Sequence, residues 1–340
     1  MEGVRTQKGH RVAIFGAAGH TGRFVVAELL RRGLTPIAIG RDAARLALLK
    51  LADSRVASVD DPGSLDRALE GAAAVINCAG PFLETAEAVA GAAIRAGIPY
   101  LDVTAEQASA LALFDRFDAD ARRGGIILIP AMSFYGGLAD LLVTSATGDW
   151  DSVDTIEIGI ALDSWHPTQG TRITGARNTA PRLAIEQGSL VPITLPAATR
   201  TWNFPPPFAR QTMVELPFSE VVLISRHLRT ETLHTYLSQN ALNDVRDPAT
   251  PAPTPVDASG RSAQRFRVEA VVTRGTDRRR VAAQGQDIYA FSAPLICEAV
   301  ARILDGRFEG VGVLAPGAAF DAADFLRALT PDLTVELARA

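Results

Sequence analysis

Three glycines at a spacing of three, Gly16, Gly19 and Gly22, stand between an apolar run, Arg11–Phe15, and a segment with helical periodicity, Thr21–Arg32, closed by Gly33. The first glycine lets the chain turn sharply off a buried strand. The second removes a Cβ where a bound group approaches the backbone, and the third lets the helix pack closely. The helix start offers free amide N–H groups and the positive end of its dipole, an arrangement suited to phosphate. Ala18 lies within the turn, and His20 and Thr21 stand where side chains can add hydrogen bonds. With a strand before it and a helix after it, the triplet predicts a dinucleotide-binding turn.

The segments that follow fit that expectation. Apolar runs predict strands over Thr35–Ile39, Val56–Val59, Ala73–Asn77, Tyr100–Asp102 and Ile126–Pro130. Helical patterns predict helices near Ala43–Ala52, Pro62–Leu69, Ala86–Ala96 and Leu111–Arg123. Alternation of this kind builds a parallel sheet with helices on both faces. An acidic residue at the end of the second strand would bind a ribose 2′-hydroxyl, but this chain has Gly40-Arg41, with Arg45 one helical turn on. A guanidinium suits a 2′-phosphate, so the expected cofactor is NADP(H); a solvated arginine at a strand end is the plainer alternative. Asp60 and Asp61 either meet an adenine amino group or cap a helix. Asn77-Cys78-Ala79-Gly80-Pro81 ends the fourth strand as a tight turn, at the edge where such sheets place their ligands. Cys78 has no base beside it in sequence and reads as a small buried residue rather than a nucleophile.

Past Asp154 the pattern changes. The runs Thr155–Leu162, Val221–His227, Leu233–Leu237, Arg265–Arg274 and Val281–Ala283 read as strands without long helices between them. Helical pieces are expected near Thr179–Gln187, Ser292–Leu304 and Phe320–Leu329, with Glu231–Ser238 ambiguous between helix and strand. Asp247–Gly260, rich in proline and alanine, reads as a mobile surface loop. The expected fold class is therefore α/β: a Rossmann-type doubly wound parallel sheet with a second α+β domain carrying a mixed or antiparallel sheet. The expected limits are residues 1–148 for the Rossmann domain and 149–290 for a substrate or dimerisation domain. Residues 291–340 are expected to be C-terminal helices returning to the first domain, and a homodimer is an open expectation.

A chain of 340 residues is natural for two cores. Its net charge of −4 argues against nucleic acid or an anionic membrane as partner, and the run Arg274–Arg280 reads as a solvated hairpin tip. The two cysteines, Cys78 and Cys297, offer neither metal-ligand spacing nor a disulfide framework, so no metal is expected. Met1–His10 is polar, without the apolar core of a signal peptide, and no apolar run approaches the ~20 residues that span a bilayer. The expected location is cytoplasmic.

GAAGHTGR at 16–23, Gly40-Arg41-Asp42, VINCAGPF at 75–82 and YLDVTAEQ at 100–107 together resemble the NADP-binding domain of saccharopine dehydrogenase-like reductases. The resemblance is strong over about Val12–Asp140, and it resumes in DIYAFSAPLICEAVARIL and GVGVLAP near the C-terminus. It implies a Rossmann domain with an inserted α/β domain that shapes the substrate site. It also implies a ligand-orienting or helix-capping role for Glu106, which matches the family's acidic position after Tyr-x-Asp. The chain departs from the family where many members carry Gly-Phe-Asp: Tyr135 stands in place of the acid, while Asp140 matches the later acidic residue. Saccharopine chemistry is accordingly not carried over.

Hydride transfer needs an acceptor carbon held near the nicotinamide and a proton donor beside it. Tyr135, after the sixth strand, is either that donor or a packed aromatic. A second cluster, LDSWHPTQGTRITGARNT at 162–179, offers Trp165 for stacking, His166 as a proton relay, and Arg172 and Arg177 as a carboxylate or phosphate clamp, with Asp163 and Thr168 beside them. A Trp-His pair that merely packs is the plainer alternative. The expected function is an NADPH-dependent oxidoreductase acting on a small C=N, C=C or C=O substrate. The alternatives are a non-catalytic NADP(H)-binding sensor or assembly protein, and an enzyme working on a carrier-bound or lipid intermediate.

Overall fold

The computed structural model describes residues 9–308 and 310–339; the polar lead-in Met1–Lys8 lies outside them. The chain divides into two compact units. The first comprises residues up to 104, then 108–133 and 292–314. The second comprises 105–107, 134–291 and 315 onward.

The first unit opens with the expected alternation: β1 (Arg11–Phe15), α1 (His20–Arg31), β2 (Thr35–Gly40), α2 (Ala43–Ala47), β3 (Ser54–Val56) and α3 (Pro62–Leu69). It continues with β4 (Ala74–Asn77), α4 (Phe82–Ala96), β5 (Tyr100–Asp102), α5 (Gln107–Gly124) and β6 (Ile127–Ile129). All strand pairs are parallel, and strand order reverses beside β1, which lies between β2 and β4. Such a reversal opens a crevice at the carboxyl ends of the strands. One sheet face carries Ala13, Ile37, Val75, Tyr100 and Leu128 into a core with Leu65, Val89 and Leu113 of the helices.

The second unit holds α6 (Ala139–Thr147), β7 (Ser152–Leu162), α7 (Gln169–Arg177), β8 (Leu183–Glu186), β9 (Ser189–Pro192), β10 (Thr199–Asn203) and β11 (Arg210–Glu215). Then come α8 (Ser219–Ser225), β12 (Arg229–Ser238), α9 (Gln239–Arg246), β13 (Arg265–Arg274) and β14 (Asp277–Gln286). After α10 (Ile288–Leu304) and β15 (Gly312–Val313), the chain closes with α11 (Pro316–Ala319), α12 (Ala322–Ala328) and β16 (Leu333–Arg339). β15 joins the first sheet beside β6, making it seven-stranded. From residue 292, α10 also belongs to the first unit, where Arg32 bridges Glu28 and, at 2.5 Å, Glu298.

The second sheet is mixed and nine-stranded, ordered β10-β11-β12-β7-β13-β14-β16 with β8 and β9 attached to β12. Only β12 and β7 run parallel within it. One face carries Trp202, whose ring lies so close to β7 that a Cβ on Gly159 would come within 2.9 Å of it. The indole N–H donates to buried Glu269, which also pairs with Arg267 and Arg280.

Several expectations are corrected. The unit boundary falls at 133/134 rather than 148, because α6 packs on β13 and β14 of the second sheet. Residues 315 onward belong to the second unit, since β16 pairs with β14. Of the expected strand Val221–His227, residues 221–225 are helical and the rest a turn, and the expected helix Thr179–Gln187 is irregular chain leading into β8 and its turn. Arg274–Arg280 is a hairpin tip, yet it is not wholly solvated: Arg274 and Arg279 both lie over the Trp150 ring.

Candidate functional site

The glycine turn is held by its own backbone. Gly16, at φ +85°, donates its N–H to the Ile39 carbonyl at 2.8 Å, and Gly19 N–H donates to the Gly16 carbonyl at 2.9 Å. A Cβ on Gly16 would sit 2.9 Å from the Ala79 nitrogen, so the turn lies directly against the β4 exit. A Cβ on Gly22 would collide with the Gly16 carbonyl and stand 2.8 Å from that of Ala17. The third glycine therefore serves packing of the helix on the turn itself rather than on the sheet. Gly19 caps α1 without a side-chain acceptor, and the first turn carries no acidic residue. The helix start thus adds no negative charge of its own to the free amides, as phosphate binding favours. His20 meets Phe24 edge-on at 5.4 Å.

At the β2 exit Arg41 is exposed and forms no hydrogen bond or ion pair among the described residues. The neighbouring carboxylate of Asp42 caps α2 by accepting the Arg45 N–H at 3.1 Å. The Arg45 side chain reaches back to the turn and donates to the Ala18 carbonyl at 3.1 Å. Near β3 the two aspartates separate in role: Asp61 caps α3 through Ser64 N–H, while exposed Asp60 accepts from the Ser58 hydroxyl. β3 ends at Val56, three residues before its expected limit, so both lie in the turn leading to α3.

The exits of β4, β5 and β6 are joined by a buried polar chain. Asn77 accepts the Ala79 N–H at 3.0 Å and donates to Thr85 and Tyr100, at 3.2 and 3.3 Å. The Tyr100 hydroxyl donates to Asp102 Oδ2 at 2.9 Å, and Asp102 Oδ1 accepts the N–H groups of Thr104 and Ala131 at 2.9 and 2.8 Å. Burial pushes the Asp102 carboxyl up to about 6, against the three hydrogen bonds that favour its charge. Burial and Asp102 raise the Cys78 thiol far above its usual range and keep it protonated, although the residue is half-buried rather than fully buried as expected.

In the second unit, Phe134–Leu138 is a kinked turn whose backbone leaves helical geometry at Tyr135 (φ −90°, ψ 79°) and Gly136 (φ 150°, ψ −94°). The Tyr135 ring stacks on Phe218 at 4.1 Å, tilts against Trp165 at 5.2 Å and meets Phe134 edge-on at 4.8 Å. Over Phe218 lies the guanidinium of Arg182, 4.8 Å from the ring centre, which donates to the Pro217 carbonyl. The Trp165 indole donates to Tyr289 Oη at 2.9 Å, and that oxygen also meets the Thr171 hydroxyl at 2.9 Å. Burial holds the Tyr135 phenol well above its ordinary titration range, with the charges of Tyr289 and Glu220 adding to the shift and Arg182 opposing it. The phenol therefore keeps its proton throughout the physiological range.

Comparison with known proteins agrees with this geometry. The family described as NAD(P)H-binding matches residues 16–108. The bovine saccharopine dehydrogenase-like oxidoreductase is 27% identical over 157 residues, which are 40% of this chain and 37% of that protein. A probable mitochondrial saccharopine dehydrogenase-like oxidoreductase of Arabidopsis thaliana is 28% identical over 175 residues, 45% of this chain and 38% of that one. The chain resembles the saccharopine dehydrogenase-like oxidoreductases. Its match spans little more than a third of those relatives. The apo saccharopine dehydrogenase (L-Glu forming) of Saccharomyces cerevisiae shares the fold over 97% of this chain and 100% of its own, at a TM-score of 0.69 and 11% identity. The chain thus carries an NAD(P)-binding oxidoreductase fold.

The residues present fit a dinucleotide: a Cβ on Gly16 or Gly22 would stand within 3 Å of backbone atoms, so the tight turn needs glycine there, and the helix that follows has no acidic residue in its first turn. Among the expected substrate-side residues, Tyr135 and Trp165 are brought together, with Phe218, Arg182 and Glu220 joining them from segments where no motif marked them and Tyr289 from the segment DIYAFSAPLICEAVARIL, in which no residue stood out as a site candidate. Arg172 donates to the Asp247 and Thr250 carbonyls and so ties down the proline-rich loop. Thr168 caps α7, at whose far end Arg177 is exposed, and His166 is half-buried, its ring without a hydrogen bond among the described residues. Glu106 is buried immediately before α5. Two open cavities of about 540 and 420 Å³ lie at the opposite, N-terminal strand edge, around Gly97 and Gly125 and around Gly71 and Arg95. No helix among the described residues is long and apolar enough to cross a membrane.

Proposed function

We propose that the protein is an NADPH-dependent oxidoreductase acting on a small molecule with a C=N, C=C or C=O bond. The observation that carries the cofactor preference is the β2 exit, where Arg41 has no protein partner and the adjacent Asp42 carboxylate is engaged in capping α2. An engaged acid serves a ribose 2′-hydroxyl poorly, whereas a free guanidinium is matched to a 2′-phosphate. Arg45, fixed on the Ala18 carbonyl, brings a second positive charge beside the turn.

Bound nicotinamide supplies the hydride. The chain's own part is to hold the pyrophosphate on the first turn of α1 and to exclude negative charge there. On the substrate side, Tyr135 keeps its proton and offers it through a phenol fixed by stacking on Phe218. A second reading, a non-catalytic NADP(H)-binding sensor, is favoured by the packing of that same ring, which is only 8% exposed. The two are separated by following NADPH absorbance against a panel of imines, enones and ketones. The enzyme reading expects turnover that Tyr135→Phe lowers at least tenfold with NADPH affinity kept, a loss in the range of removing a general acid, ~10²–10⁴-fold at most. Tight NADPH binding without turnover against the whole panel would overturn it.

A further inference from the structure

The buried chain joining the β4, β5 and β6 exits has a fixed direction. The Thr85 hydroxyl donates to the Ala79 carbonyl at 2.6 Å, so its oxygen is left to accept from Asn77. That sets the Asn77 amide: Nδ2 faces Thr85 and Tyr100, and Oδ1 accepts the Ala79 N–H. With Asn77 donating to it, the Tyr100 oxygen must send its own proton onward, and it does so to Asp102. Asn77, Tyr100 and Asp102 are all fully buried, so no solvent stands ready to repair a mismatch. The whole chain is consistent only with Asp102 as a pure acceptor, that is, as a carboxylate.

We propose that Asp102 is a positioning residue for the dinucleotide, wired through Tyr100 and Asn77 to the Ala79 backbone, so that a proton on Asp102 weakens cofactor binding. The proposal rests on the dinucleotide reading of the glycine turn. Oδ1 is taken by two backbone amides, so an added proton goes to Oδ2 and must be donated to Tyr100. The Tyr100 oxygen then accepts from both sides, and its own hydrogen has no acceptor. Turning the Asn77 amide over supplies one, but it then sets an NH₂ group against the Ala79 N–H. Either way a buried donor is orphaned, and in the second case it is the amide packed against Gly16.

Three further features support this assignment. Asp102 also holds the β6 exit, fixing Ala131 at φ +54°, a conformation rare for a residue with a Cβ. Its main-chain carbonyl accepts the Met132 N–H at 2.8 Å, so one residue sets the exits of β4, β5 and β6, on the side of the strand reversal away from β2. The groups facing the carboxyl are the Tyr100 phenol, the Cys78 thiol and two amides, none of them cationic. Burial brings its titration to about pH 6, within reach of mild acid.

The test measures NADP⁺ affinity and the Ala79 amide resonance of the full chain at about pH 7.5 and about pH 5. The cofactor's 2′-phosphate titrates in the same range, with a second pKa of about 6, so its own contribution is read from the variants. The wild type should bind roughly tenfold more weakly in acid beyond that contribution, ~1.4 kcal/mol for one orphaned donor. Asp102→Asn mimics the neutral acid, with its amide donating to Tyr100; it should bind weakly at both pH values. Tyr100→Phe cuts the wire; whatever its affinity near pH 7.5, the change in that affinity between the two pH values should be only the phosphate's own slope. In the apo protein, the Ala79 amide should titrate near pH 6 in the wild type and in neither variant. Wild-type affinity in Asp102→Asn, or an unchanged Ala79 titration in Tyr100→Phe, would overturn the proposal. No NADP⁺ binding by the wild type at either pH would instead refute the cofactor reading, and the Ala79 resonance would still decide the wire.

Discussion

The glycine turn of the first unit and the aromatic cluster of the second are built in opposite ways. The turn uses seven consecutive residues and works through backbone: amides, carbonyls and the space left by absent Cβ atoms. The cluster draws Tyr135, Trp165, Arg182, Phe218, Glu220 and Tyr289 from five separate stretches and works through side chains. A site of the first kind fails when an atom is added, and one of the second kind fails when atoms are removed.

That contrast is sharpened most by paired substitutions. Phe218→Ala removes the ring between Tyr135 and Arg182 and should cost about 4 kcal/mol, seen in denaturant unfolding, while NADPH binding by the remaining folded protein persists. Gly22→Ala drives a methyl group into the Gly16 and Ala17 carbonyls and should cost about 3 kcal/mol, with NADPH binding lost. A folded Gly22→Ala protein that binds NADPH normally would break the comparison. A smaller effect is expected where a side chain merely ties a loop. Arg172→Ala should cost about 1 kcal/mol and raise the rate of proteolysis within residues 247–260, since its guanidinium holds the Asp247 and Thr250 carbonyls.

The subtlest prediction concerns Asp140, which matches the later acidic residue of the resembled family yet serves the second unit's framework. It accepts from the Gly317 amide at 2.7 Å and meets His227 Nε2 at 2.6 Å. Burial alone would lower the His227 pKa, but the charge and hydrogen bond of Asp140 outweigh it and raise the value above 6.5. A raised folded-state pKa gives stability that is fully present below the unfolded value and is lost as pH rises through the folded one. The stability difference between wild type and His227→Ala should therefore be largest in mild acid and shrink on the alkaline side. A difference that grows with pH would contradict the pairing.

The same contrast explains what the sequence reveals. The first sheet was legible because each parallel strand is a short apolar run punctuated by Gly33, Gly97 or Gly125, all at positive φ. The Val221–His227 segment misleads because its valines and isoleucine favour strands, whereas packing on the Phe134–Leu138 turn, α6 and β12 selects a helix. The hairpin β8–β9 was hidden by an expected helix, although Pro181 before it and Gln187-Gly188 at its turn, both at positive φ, mark a break and a reversal. Arg41 and the glycines are read from local spacing. Arg182 and Phe218 have no local signature, and Tyr289 sits in a family-like segment that gives no hint of its partners, because only the packing of distant elements gives them a shared role. His166 illustrates the converse: its position beside Trp165 suggests a relay, but the hydrogen bonds of that region run through Tyr289 instead.

The central claim is that the glycine turn and Arg41 together hold NADP(H). It is tested most directly by titrating wild type and Arg41→Ala with NADPH and NADH at one moderate ionic strength. The account predicts that wild type prefers NADPH, by at least the roughly tenfold that a charge-assisted contact to phosphate supplies, and that Arg41→Ala loses most of that preference while NADH affinity stays unchanged. Equal affinities of the wild type for the two cofactors, or a preference that survives Arg41→Ala, would contradict it.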